Sequence, residues 1–110
     1  MYPVTVPPSD DGWQPLDFAG VSIRPLHTEP DGATTVLTRM APGAVIPAHR
    51  HTAAHETVFV VSGEFVEDGV SHGPGTFFAA PAGVVHGPHA TGPGCVVLTR
   101  FSAAIDFVTD

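Results

Sequence analysis

Seven histidines in 110 residues are the compositional excess of this chain, and their spacing carries chemistry. His49 and His51 stand two apart in a stretch, 45–51, that alternates like a strand, and a period of two sends both imidazoles to one face. His55 and Glu56 follow four and five residues after His51, at the start of the next strand, where a hairpin can return one of them beside the first pair. His86 comes just after the Pro81-Ala82-Gly83 turn. Three imidazoles and a carboxylate on one face form a ligand set for one divalent transition metal ion: iron, manganese, nickel, copper or zinc. On a straight strand only one of His55 and Glu56 can face the ion. Glu56 shares its phase with Val58 and Val60, His55 with Thr57 and Phe59, and a local bulge can reverse the choice. An anionic Glu56 suits an ion that changes oxidation state, whereas His55 in its place leaves a stronger Lewis acid. These two residues are the catalytic candidates, and His49, His51, His86 and either Glu56 or His55 the metal ligands.

The elements that must position these groups are short. Residues 1–16, rich in Pro, Asp and Gly, read as an extended arm with Trp13 and Leu16 as anchors, and residues 17–110 as a single domain. Strands are predicted over 21–24, 34–40, 45–51, 57–61, 76–79, 84–86 and 95–101, with a hairpin of 64–67 and 70–71 around Asp68-Gly69. Residues 103–108 read as a last strand or a short helix. Gly and Pro occupy 24 of the 110 positions, which rules out long helices. An all-β antiparallel sandwich or barrel is the fold class that follows.

Composition excludes several functions. Four Arg and no Lys face eleven acidic residues, for a net charge of −7, so the basic footprint that nucleic acid or an anionic membrane requires is missing. Cys95 is the only cysteine, which excludes an intrachain disulfide and a cysteine-based zinc site. Neither a basic and apolar leader nor a stretch of about 18 apolar residues is visible, and the expectation is a cytoplasmic protein. With no lysine and no recognisable Ser or Cys nucleophile motif, chemistry falls to the metal.

Two segments resemble the paired motifs of the cupin superfamily. Gly43-x5-His49-x-His51-x4-Glu56-x6-Gly63 is similar to the first, and Gly75-x5-Pro81-x-Gly83-x2-His86 to the second, with Ala90 where an Asn usually closes it. The resemblance implies a small antiparallel jelly-roll β-barrel, with a metal in its mouth held by both histidines and the glutamate of the first motif and the histidine of the second. Some cupins place the third ligand where His55 stands. The chain is similar to acetylacetone-dioxygenase-like and quercetinase-like enzymes, to aromatic polyketide cyclases and to the zinc-binding cupin domain of anti-sigma factors.

The resulting expectation is a dioxygenase acting on an enolisable carbonyl or phenolic substrate, a small oxygenated organic molecule. The alternatives are a non-redox cyclase or isomerase and a non-catalytic metal-binding sensor. Val45, Val58, Val60, Phe77 and Val85 are candidate pocket lining. His27, just before the 28–32 turn, reads as exposed rather than a ligand, and His72 as a loop residue. His89, three beyond His86 and of opposite phase, is not expected to ligate, with a rim contact as the alternative role, and Glu64, sharing the parity of Glu56, reads as open to a pocket role. A homodimer is expected, because a small barrel leaves open edges and an outer apolar row that includes Phe59 and Val61.

Overall fold

Ten strands and no helix are found among residues 1–109, which the computed structural model describes. They are β1 (Gln14–Pro15), β2 (Val21–Thr28), β3 (Thr34–Met40), β4 (Val45–Ile46), β5 (Glu56–Gly63), β6 (Phe65–Glu67), β7 (Val70–His72), β8 (Phe77–Ala80), β9 (His89–Ala90) and β10 (Cys95–Phe101). Six form one sheet in the order β1-β2-β3-β10-β5-β8, and four form the other in the order β4-β9-β6-β7. Every pairing is antiparallel. The architecture is the jelly roll expected, as two sheets that do not close into one continuous hydrogen-bonded barrel.

The centre of the large sheet follows from alternation. Along β10, Cys95, Val97, Thr99 and Phe101 are buried while Leu98 and Arg100 face outward. Along β5, Glu56, Val58 and Val60 are buried, and Phe59 and Val61 are exposed. Period two therefore carries Glu56 inward on the same row as two core valines. Burying a valine such as Val60, 0% exposed, contributes roughly 1.5–3 kcal/mol, so a one-residue slip of β5 that turned Glu56 outward would also expose this row.

Turns set the register. Asp68 and Gly69 take φ of 46° and 81°, the left-handed pair that suits the two-residue hairpin between Glu67 and Val70. Gly63 ends β5 at φ 79°, where a Cβ would lie 2.0 Å from the Gly94 carbonyl oxygen.

Several expected strands are shorter or absent. Only Val45–Ile46 of 45–51 is a strand, because Pro47 has no N–H to donate and ends the ladder. Residues 84–86 contribute one bridge, His49 with His86, and 103–108 are neither strand nor helix, with one bridge from Val108 to Arg50. His72 ends β7 and is not a loop residue, while His27 lies near the end of β2 and is exposed, as expected. Among the described residues, no helix is long and apolar enough to cross a membrane.

Candidate metal centre

His49, His51, Glu56 and His86 come together, each offering one atom, all within 4.8 Å of one another. Three elements hold them. His49 and His51 follow β4, Glu56 opens β5, and His86 follows the Pro81–Gly83 turn. The two motifs are joined through main chain: His49 N–H donates to His86 O at 3.0 Å, His86 N–H to His49 O at 2.9 Å, and Gly83 N–H to His51 O at 2.8 Å. Two donors about 2.1 Å from a common ion lie about 3 Å apart when adjacent and about 4.2 Å when opposite, so a cluster spanning up to 4.8 Å needs only a small contraction to close on one ion.

The ring orientations point the same way. His49 Nδ1 lies 2.8 Å from Pro47 O, His51 Nδ1 2.6 Å from Asp106 O, and His86 Nδ1 3.1 Å from Val84 O. A carbonyl oxygen only accepts, so each neutral ring carries its proton on Nδ1 and turns an Nε2 lone pair to the centre. Glu56 Oε2 lies 2.9 Å from His51 Nε2 and 2.8 Å from His86 Nε2. Lone pairs do not face one another at that distance unless a proton or a cation sits between them. His86 Nε2 is buried and has no well-aligned hydrogen-bond partner, as a metal-directed nitrogen would be left. The donors fit a divalent transition ion, on which one carboxylate leaves a net charge of +1.

Titration behaviour reflects the crowding. Burial, aided by the neighbouring imidazoles, lowers His49 to about 4 despite the Pro47 carbonyl. Burial alone would raise Glu56, yet hydrogen bonds and charge from His51 and His86 bring it down to about 2. The Glu56 carboxylate close to Nε2 outweighs burial at His86 and raises it. A carboxylate ionised across the working range and a His49 free of its proton are what metal binding requires.

Comparison with known proteins agrees with this geometry. The profile of the ChrR cupin-like domain family matches residues 2–104. The chain belongs to this cupin family. KdgF from Halomonas sp. is 30% identical to this cupin, with 86% of this chain and 87% of that one covered and a TM-score of 0.74. An acetylacetone dioxygenase from Acinetobacter johnsonii superposes with a TM-score of 0.81 over 100% of this chain and 80% of that one, at 18% identity. The anti-sigma ChrR of Rhodobacter sphaeroides, solved with SigE, gives a TM-score of 0.69 over 83% of this chain and 48% of that one, at 24% identity. The last two likenesses are of fold. No curated protein matches the cupin's sequence.

His55 stands outside the cluster. It is exposed, its Nδ1 accepts from Ala82 N–H at 3.2 Å, and its main chain exchanges hydrogen bonds with Ser102. In this cupin it props the turn that delivers His86. Glu64 turns away from the centre and accepts from Ser71 Oγ at 2.6 Å. His89 is outside the four-donor cluster, as its phase implied, yet it is 8% exposed and turned inside rather than to the rim. Gly87, at φ 86°, breaks the strand between His86 and His89, and the two rings stack 5.5 Å apart. Glu67, its cross-strand partner, was not foreseen; only the register of β6 on β9 makes it a neighbour.

Two cavities adjoin the centre, of about 230 and 150 Å³, and Glu56, Val58, Phe65 and His89 border both. Of the expected lining only Val58 is correct. Val60 is core, while Val45, Phe77 and Val85 are exposed, Phe77 because it pairs with Phe59 on the outer face. The larger cavity is walled instead by Met40, Ile46, Val97, Phe101, Ile105 and Phe107, and no Arg borders either cavity. Phe107 also closes the centre from the chain's far end, 5.0 Å from His49 and 5.1 Å from His51.

Proposed function

We propose that this cupin is a metal-dependent enzyme that takes a small, largely apolar molecule through its oxygen atoms, with His49, His51, Glu56 and His86 as metal ligands. The observation that carries the reading is the four-donor cluster opening onto apolar cavities. A divalent ion with open positions supplies a Lewis acid to a carbonyl, enolate or phenolate and, where the ion is redox-active, a route to dioxygen. The protein's own part is to hold three Nε2 atoms and one carboxylate in place, to exclude water with Val58, Phe65 and Phe101, and to offer no cation to a second anionic group on the substrate. An enolisable carbonyl or a phenol suits that lining; a sugar acid or a phosphate does not.

Dioxygenase chemistry is the reading we favour, because the anionic Glu56 within the donor set suits an ion that changes oxidation state. Cleavage of a carbon–carbon bond with both atoms of dioxygen entering the products needs no outside reductant. Likeness of fold to an acetylacetone dioxygenase supports the class of chemistry and does not identify the substrate. Membership of the ChrR cupin-like family favours a second reading, a metal-binding module without turnover.

Elemental analysis of protein purified without added metal, followed by oxygen uptake by iron(II)-loaded protein over a panel of β-diketones and phenols, tests the proposal. Uptake that is lost in Glu56→Gln and His51→Ala is expected. Substrate conversion under nitrogen would replace oxygenation with Lewis-acid cyclisation or isomerisation, and metal binding without any conversion would favour the regulatory module.

A further inference from the structure

His89 and Glu67 form a second polar pair beside the candidate metal ligands. They are direct partners across the β6–β9 ladder, and His89 Nδ1 lies 2.5 Å from Glu67 Oε2. Nδ1 has no well-aligned hydrogen-bond partner, but a carboxylate at that separation favours a ring proton on Nδ1 over a bare lone pair. Glu67 is fixed in turn, since its Oε1 accepts from Gly87 N–H at 2.8 Å. The His89 ring is pinned between Phe65, 4.9 Å away, and the rings of His49 and His86, 5.2 and 5.5 Å away. Burying an imidazole and a carboxylate together is costly compared with an apolar pair of similar shape, and the fold gains no strand contact that such a pair would not supply. Their placement has one further property. Glu56 and His89 are the polar residues bordering both cavities, and Glu56 belongs to the donor cluster.

We propose that the Glu67–His89 pair is a hydroxyl-recognising element: Glu67 keeps the ring proton on Nδ1, and His89 Nε2 accepts a hydrogen bond from an O–H on the bound molecule. The inference rests on the reading of the four-donor cluster as a metal centre. It narrows the substrate class to chelating molecules that carry an O–H beside the oxygens with which they chelate, such as hydroxylated phenols or hydroxy-enones. His89 is a positioning residue in this role. Glu67 acts through it.

Zinc-loaded protein titrated by calorimetry with tropolone, which chelates through two adjacent oxygens, and with α-hydroxytropolone, which bears another O–H beside them, separates the possibilities. Wild type is expected to prefer the hydroxylated probe by about fivefold, the effect of one hydrogen bond. His89→Phe should keep one zinc per chain and lose the preference. Glu67→Gln tests the same point with little change of shape: its Oε1 still accepts from Gly87, but its amide N–H donates to Nδ1, so the ring proton moves to Nε2 and the preference disappears or inverts. A merely structural pair would leave the ratio of the two affinities unchanged. A wild-type ratio near one, or a ratio retained by Glu67→Gln or by folded, zinc-loaded His89→Phe, would overturn the role. Wild-type protein that holds no zinc at all would overturn the metal-centre reading and this inference with it, a failure read in elemental analysis before any probe is added.

Discussion

His49 and His86, the first and last of the four converging donors in sequence, exchange both main-chain hydrogen bonds, at 3.0 and 2.9 Å. The ladder thus aligns one imidazole from each motif before any side-chain contact is made, and their rings meet 4.4 Å apart. Metal affinity should accordingly depend on all four donors and little on His55. His49→Ala, His51→Ala, Glu56→Gln and His86→Ala are each expected to weaken zinc binding by more than the roughly 10- to 100-fold that loss of an outer partner costs. His55→Ala should stay within about tenfold of wild type, since it removes only the prop under Ala82. Competition with a chromophoric chelator measures both.

Acid should destabilise the metal-free protein in two steps. His49 is held near 4 in the fold against 6.5 unfolded, so between these values the unfolded chain binds more protons and stability falls as pH falls. The loss is about 1–3 kcal/mol after allowance for solvent screening. Glu56, near 2 against 4.5, adds a further loss as pH drops through that lower window. His86 has the opposite sign: its raised pKa makes its contribution full below 6.5 and lost as pH rises through the folded value. Thermal melts of chelator-treated protein should therefore peak near neutrality, and His49→Gln should flatten the limb between pH 6.5 and 4.

Much of this centre is written in the sequence. The spacing of His49, His51 and His86 around Gly and Pro punctuation points to three of the four residues that cluster, because strand period and turn chemistry are local. Parity alone left Glu56 and His55 open; the buried row of Val58 and Val60 decides between them in the fold. Parity did not show that His89 turns inward, because parity holds only along an unbroken strand and Gly87 breaks it. Glu67 left no local signal, since a cross-strand partner 22 residues away depends on sheet register. The lining was misassigned at Val45 and Phe77 for a related reason: which face of a two-sided apolar strand turns inward is settled by the opposing sheet.

Gly63 is expected to tolerate no side chain. Gly63→Ala would set a Cβ 2.0 Å from Gly94 O and 2.8 Å from Cys95 Cα, at φ 79°, and should cost about 2–4 kcal/mol in urea denaturation. Gly32→Ala, at φ 93° with nothing within 4 Å of the added methyl, is the control and should cost about 1 kcal/mol.

Leu37, Leu98, Phe59 and Phe77 oppose one another in turn across β3, β10, β5 and β8 on the outer face of the large sheet. If a second copy covers this band, sedimentation at micromolar concentration gives a dimer, and Phe59→Asp gives a monomer with unchanged zinc content. A monomeric wild type refutes the homodimer.

The acceptors that orient the three rings are the carbonyls of Pro47, Val84 and Asp106, which belong to the backbone. A carbonyl survives any substitution of the residue that carries it. The tautomers are therefore set without the side chains at these positions, and what those side chains contribute is the chain path: Pro47 ends β4, and the Asp106 carboxylate accepts from Thr52 beside His51. Only changes that shift that path would reach the tautomers.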